Sequence, residues 1–156
     1  MPGMRGEDMT KTTRRWLRWV PLTLVVVLVI GTTIGYQVWK DSIVRFYTYG
    51  LWWEAYNSFL DERSTVPPSL ADIERFYNAY ARCKGPLPDA SVPSPIYRPP
   101  PDNQYSYIVL LEPVRPWRLN RIVYRSPSGD KHLSYGTEWR WAIPRLLAED
   151  DERRKH

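Results

Sequence analysis

From Trp19 to Trp39 the chain reads "WVPLTLVVVLVIGTTIGYQVW", 21 residues without a charge. A helix needs about 20 residues to cross the hydrocarbon core of a bilayer. Beyond this segment the pattern changes from uniform to periodic. Phe46, Tyr49, Trp53, Tyr56 and Leu60 recur at spacings of 3, 4, 3 and 4, the stripe of one helix face. Gly50 is the only breaker in the stretch and no turn signal precedes it, so the pattern predicts one continuous helix from about Arg15 to Asp61. In "STVPPSLADIERFYNAYARCKGP" a second helix is predicted. Ser69 is its N-cap, Asp72 stands where a capping box needs a carboxylate, and Gly85-Pro86 ends it. Leu70, Ile73, Phe76, Tyr77 and Tyr80 form its expected buried face.

Residues 86–101, "PLPDASVPSPIYRPPP", hold seven prolines in sixteen positions. A proline cannot donate to a sheet ladder, so this reads as an extended surface loop with neither helix nor central strand. Three β-rich runs follow: "YSYIVLL" (105–111), "RIVYRS" (121–126) and "KHLSYGTEWRWAI" (131–143). "SPSGD" is the turn between the last two, and Gly136 marks an expected bulge or bend. "PRLLAE" is expected to make a last short helix before the solvated tail "DDERRKH". The expected fold is therefore α+β. A long N-terminal transmembrane helix continues into a small exported domain with a second helix and a three-stranded antiparallel sheet. The divisions fall at 1–18 (basic N-terminus), 19–39 (span), 40–149 (domain) and 150–156 (charged tail).

Charge settles the expected orientation. Lys11, Arg14, Arg15 and Arg18 precede the apolar run, which places the amino end in the cytoplasm and the domain outside. Trp16, Trp19, Tyr36 and Trp39 sit where amphipathic rings favour the headgroup region, and Pro21 is expected in the first helical turn. A cleaved signal peptide would have a shorter apolar region and an A-x-A-like exit, but no alanine occurs before Ala55. A retained anchor in the cytoplasmic (inner) membrane is expected. The net charge of +5 is interleaved with acids along the rest of the chain, which argues against a nucleic-acid partner. Cys83 is the only cysteine, so an internal disulfide and a CxxC metal site are both excluded; it is expected as a small buried residue.

Candidate chemistry is sparse. Asp130, His132 and Ser134 alternate, which would hold them about 7 Å apart on one strand face, too far for a nucleophile–base bond. Asp130, His132 and Glu138 make an equally weak metal set. No catalytic residue, cofactor or metal ligand is assigned, and enzyme activity is not expected. Aromatic residues beside arginines are the better signal: Trp117 lies between Arg115 and Arg118, while Trp139 and Trp141 straddle Arg140. Such interleaving binds sugars, bases or lipid headgroups, or packs as a sheet face with arginines over rings. With Tyr47, Trp52 and Trp53 just beyond the apolar run, these residues form the candidate interaction surface.

The order of elements resembles that of pilin-like proteins, particularly pseudopilins of the type II secretion kind. "LDERSTVPPSLADI" (60–73) is similar to the family's helix exit, "DKHLSYGTEW" (130–139) to its late strand, and "GTEWRWAI" (136–143) to its glycine–turn–strand close. The resemblance implies a long helix whose outer half packs on a small antiparallel sheet, with a structural role in an envelope assembly. The leader departs from the family: Pro21 stands where processing needs glycine, and Val26 where assembly needs glutamate. An uncleaved anchor is expected even so. The leading expectation is a single-pass envelope protein contacting the bilayer, other envelope proteins or its own copies. The alternative is an accessory subunit of a membrane complex, docked through helix 43–60.

Overall fold

The computed structural model of the chain describes residues 7–84, 92–101, 107–115 and 118–156, with side chains omitted at 7–18 and 79–84. Trp117, Cys83, Tyr80, the Gly85-Pro86 helix stop and the basic cluster at 11–18 therefore lie outside the described side chains. The element order is α1 (Glu7–Arg63), α2 (Leu70–Lys84), β1 (Ile96–Tyr97), β2 (Tyr107–Leu111), β3 (Asn120–Ser126), β4 (Ser134–Trp139) and α3 (Ile143–Arg153). Two compact units result, Met1–Ser42 and Ile43–His156, with α1 contributing to both.

In the first unit, every side chain from Trp19 to Lys40 is exposed, and Asp41 and Ser42 are half-buried. The apolar run is long enough to cross a membrane. Its hydroxyls are turned inward on the helix. Thr23 donates to the Trp19 carbonyl at 2.7 Å, Thr32 to Leu28 at 2.9 Å and Thr33 to Val29 at 2.8 Å. Such local bonds leave the three threonine hydroxyl hydrogens paired without water, as hydrocarbon requires. Pro21 sits inside the helix, not in its first turn, because α1 begins at Glu7.

In the second unit, three layers form around a four-stranded antiparallel sheet of order β1-β2-β3-β4. The α1 residues Tyr49, Trp52, Ala55, Tyr56 and Leu60 join Ile73 and Tyr77 of α2 against one face, on Tyr107, Val109, Leu110, Ile122 and Tyr124. On the other face α3 packs Ile143, Leu146 and Leu147 against Ile108, Leu111 and Val123. β2 is covered on both sides, which explains why "YIVLL" is apolar without alternation. The aromatic stripe of α1 is broader than its spacing implied. Trp52 stacks on Tyr77 with centroids 4.3 Å apart, and Phe59 meets Phe76 edge-on at 5.2 Å. Phe46, by contrast, is 53% exposed.

Four features differ from the sequence expectations. The sheet has a fourth strand: Ile96 and Tyr97 pair with Leu111 and Leu110 inside the proline-rich stretch. Two residues between prolines suffice for an edge strand, because only one side of the ladder is demanded. The expected bulge at Gly136 is absent, since β3 and β4 stay in register from Asn120–Trp139 to Arg125–Ser134. The irregularity lies in β2 between Ile108 and Leu110, and it lets the consecutive residues Val109 and Leu110 join the same core cluster. The tail is not wholly solvated. Asp150 is 3% exposed, accepts the Ile108 N–H at 3.1 Å and pairs with Arg98 at 3.0 Å and Arg154 at 2.9 Å. Arg154 also donates to the carbonyls of Pro99 and Ile108 and covers the Tyr107 ring. Finally, the third β-rich run is strand only to Trp139; a turn follows, with Ala142 N–H on the Trp139 carbonyl.

One ion pair ties α1 to the sheet. Arg45 Nη1 donates to both Glu112 carboxylate oxygens at 2.6 and 2.7 Å, with Arg45 6% and Glu112 1% exposed. Glu112 Oε2 also accepts the Ile122 N–H at 3.0 Å, and Arg121 donates to the Glu112 carbonyl. Burial lowers the Arg121 pKa, opposed by the Glu112 charge. Removing one member of such a pair strands a buried charge. Arg45→Met should therefore cost about 3–5 kcal/mol. Replacing both, as Arg45→Met with Glu112→Leu, should recover most of that loss in a denaturant titration of the full chain. Equal destabilisation by the single and double variants would contradict this.

Ser69 precedes α2, and its hydroxyl donates to Asp72 Oδ2 at 2.6 Å, while Asp72 N–H meets the Ser69 carbonyl at 3.3 Å. Ser69 thus stands directly before the helix as expected, and the contact its hydroxyl makes is with the Asp72 carboxylate. Ser69→Ala should lower domain stability by about 0.5–1 kcal/mol, the small end for an exposed cap. An unchanged unfolding midpoint would show that this pair does not hold the helix start.

Candidate interaction surface

The six aromatic residues singled out in the sequence do not form one patch. Trp52 is buried at 3% exposure and belongs to the core. Trp53 is half-buried and fixed by its indole N–H, which donates to the Leu133 carbonyl at 2.6 Å. Tyr47 is 43% exposed. Trp139 and Trp141 are 53% and 67% exposed and stack on each other, centroids 4.8 Å apart at 11°. Trp117 lies outside the described residues. The i, i+2 pair can stack because the strand ends between its members: Trp139 is the last residue of β4, and Arg140 and Trp141 already turn.

Tyr47 and Trp53 instead belong to a groove of about 350 Å³ between α1 and the sheet. Phe46, Tyr47, Leu51 and Trp53 line it from the helix, Tyr124 and Tyr135 from the sheet, with Gly50 and Glu54 at its edge. Gly50 opens it: a Cβ placed there would meet nothing within 4 Å. Phe46 packs edge-on against Tyr135 at 5.1 Å, and Tyr135 lies 5.8 Å from Tyr124. Burial raises the pKa of both tyrosines, so they remain neutral phenols at physiological pH. The lining supplies apolar area and ring faces and no nucleophile–base pair. Binding is the chemistry it supports.

The polar residues considered for catalysis are arranged differently from their spacing. β4 begins only at Ser134, so Asp130 and His132 lie in the preceding turn, where the two-residue strand separation does not apply. His132 Nδ1 meets Asp130 Oδ1 at 3.0 Å, and its Nε2 meets Asp61 Oδ1 at 2.9 Å. Ser134 turns away and donates to the Arg125 carbonyl at 3.2 Å. Glu138 pairs with Arg125. Because each carboxylate occupies a different ring nitrogen, the Asp–His–Asp set does not converge on a common point. Among the described residues no group of His, Cys, Asp and Glu could hold a metal ion. Asp61 entered the sequence reading only as the end of the first helix, since 71 residues separate it from His132 and only the packing of α1 on the sheet joins them.

Compared with protein-family models, curated proteins and solved structures, the chain matches none.

The two carboxylates raise the His132 pKa above its ordinary 6.5, Asp61 contributing most through its hydrogen bond. Because the folded value lies above the unfolded one, the stabilisation is complete below the unfolded value. It is lost as pH rises through the folded one. The half-exposed site keeps the effect small. Asp61→Asn should move the His132 titration, followed by NMR of the ring, towards its ordinary value and flatten the stability change across that window. An unmoved titration would show that the Asp61 contact is not made in solution.

Proposed function

We propose that this chain is a single-pass membrane-anchored envelope protein, amino end in the cytoplasm, whose small α+β domain acts through protein contacts outside. The observation that supports it best is the charge-free run from Trp19 to Trp39. All of its side chains are exposed and its threonines are bonded within the helix. An exposed apolar surface of that length is untenable in water and ordinary in lipid. The basic amino flank sets the direction. A pilin-like role fits a helix whose later part packs on an antiparallel sheet. Pro21 and Val26 argue against peptidase processing, so the anchor is retained.

A carboxyl-terminal fusion to a reporter active only outside the cytoplasm should be active, and intact-mass measurement should give the full chain, with or without Met1. Activity solely from a cytoplasmic reporter, or an amino terminus beyond Gly35, would overturn the reading.

The groove favours a second reading, an accessory subunit docked through helix 43–60. Tyr49, Leu51, Trp52, Ala55, Tyr56, Phe59 and Leu60 are buried within the domain. A partner would therefore have to use Phe46, Tyr47, Gly50 and Glu54. Discrete stoichiometric partners on mild detergent extraction would favour the subunit, and self-assembly the pilin-like role.

A further inference from the structure

The two edges of the sheet are built differently. β1 is two residues long, with Pro95 directly before it and Pro99 close behind, so it offers little ladder to another strand. β4, at the other edge, carries none of these guards. It stays in register with β3 from Ser134 to Trp139 without a bulge, and it holds no proline or lysine. Its one charged residue, Glu138, is engaged by Arg125. Tyr135, Thr137 and Trp139 are exposed.

The ladder fixes which atoms this edge presents. The Ile122 carbonyl accepts the Glu112 N–H on the β2 side, and Arg140, one step past β4, donates to the Leu119 carbonyl next to β3. Backbone groups alternate in direction along an antiparallel strand. Ser134, Gly136 and Glu138 therefore bond towards β3, while Tyr135, Thr137 and Trp139 turn their N–H and C=O outward. No fifth strand among the described residues takes them. The Trp139 carbonyl accepts the Ala142 N–H at 2.9 Å and keeps a second lone pair. An edge of this kind is a template for another strand.

The residues of β4 select that strand. Laid antiparallel on itself about Thr137, the strand sets Thr137 opposite Thr137, Tyr135 opposite Trp139 and Gly136 opposite Glu138. The outward groups of both copies then face one another. Threonine pairs and aromatic pairs are favoured cross-strand neighbours, and glutamate opposite glycine keeps like charges from meeting directly. Centring the pair on Tyr135 or Trp139 instead would carry half of each strand past the end of its partner. Tyr135 is also a wall of the groove beside Phe46, so Trp139 of the second copy comes to that groove's rim.

We propose that β4 is a self-pairing edge, through which two copies of this chain join their sheets into one, antiparallel and centred on Thr137. The inference concerns the domain alone and goes beyond the membrane-anchored reading without resting on it.

The test uses the full chain in mild detergent, where analytical ultracentrifugation should find a dimer. In a Cys83→Ser background, Thr137→Cys should form an intermolecular disulfide on mild oxidation. A hydrogen-bonded antiparallel pair sets Cα atoms about 5.5 Å apart, within reach of that bond. Tyr135→Cys and Trp139→Cys should each fail to cross-link alone and should cross-link when mixed. Thr65→Cys, exposed just after α1, should not cross-link. Thr137→Lys sets like charges opposite one another and should raise the dimer dissociation constant about ten-fold. Its circular dichroism should be unchanged; if that variant unfolds, the cysteine pattern decides. A monomer at micromolar concentration whose Thr137→Cys form does not cross-link overturns the proposal. So does a dimer that cross-links at 65 as readily as at 137, or one that a folded Thr137→Lys variant leaves intact, since the copies then meet elsewhere. Cross-linking at 137 only when another protein is added does the same.

Discussion

The domain depends on one buried ion pair. Arg45 comes from the helix and Glu112 from just past the end of β2, and the Glu112 carboxylate also takes the Ile122 N–H of the neighbouring strand. Arg121 satisfies the Glu112 carbonyl from the other side. Helix, β2 and β3 are therefore pinned at one place, with a geometry that apolar packing alone would leave free to slide. Two charges taken out of water are costly, and the attraction returns that cost only when the remaining lone pairs are bonded. Here they are. From this point the aromatic residues Tyr49, Trp52 and Tyr56 are directed into the space between sheet and α2.

A second ionic cluster does the same on the opposite face. Asp150 on α3 is buried with Arg98 and Arg154 and takes the Ile108 N–H at the start of β2. β2 is thus held at its beginning by Asp150 and just past its end by Glu112. This explains how a small sheet with a two-residue edge strand keeps its register despite the irregularity at Ile108–Leu110. Tyr49 adds a third tie, donating to the Pro93 carbonyl at 2.9 Å, which holds the proline-rich stretch against the helix.

Much of this was legible in the sequence where the signal was local. The apolar run, the Ser69–Asp72 start of α2 and the paired runs 105–111 and 121–126 all follow from residue type and spacing. What escaped was set by contacts distant in the chain. Ile96 and Tyr97 become a strand only because Leu110 and Leu111 offer a free edge. "DDERRKH" reads as a solvated tail because burial of Asp150 depends on Arg98, 52 positions away. The same limit applies to the interaction surface. Spacing grouped Trp52 with Tyr47 and Trp53, but α2 covers Trp52 through Tyr77. Trp139 and Trp141 remained exposed because β4 is an edge strand that ends between them.

The central claim is that α1 from Arg45 to Leu60 is a core element of the domain and not a stalk beneath it. Hydrogen exchange of the full chain in detergent tests this most directly. If the ion pair and the aromatic core act as described, the amides of 45–60 exchange with those of β2 and β3 through one shared opening. Exchange of 45–60 orders of magnitude faster than the sheet would contradict the account.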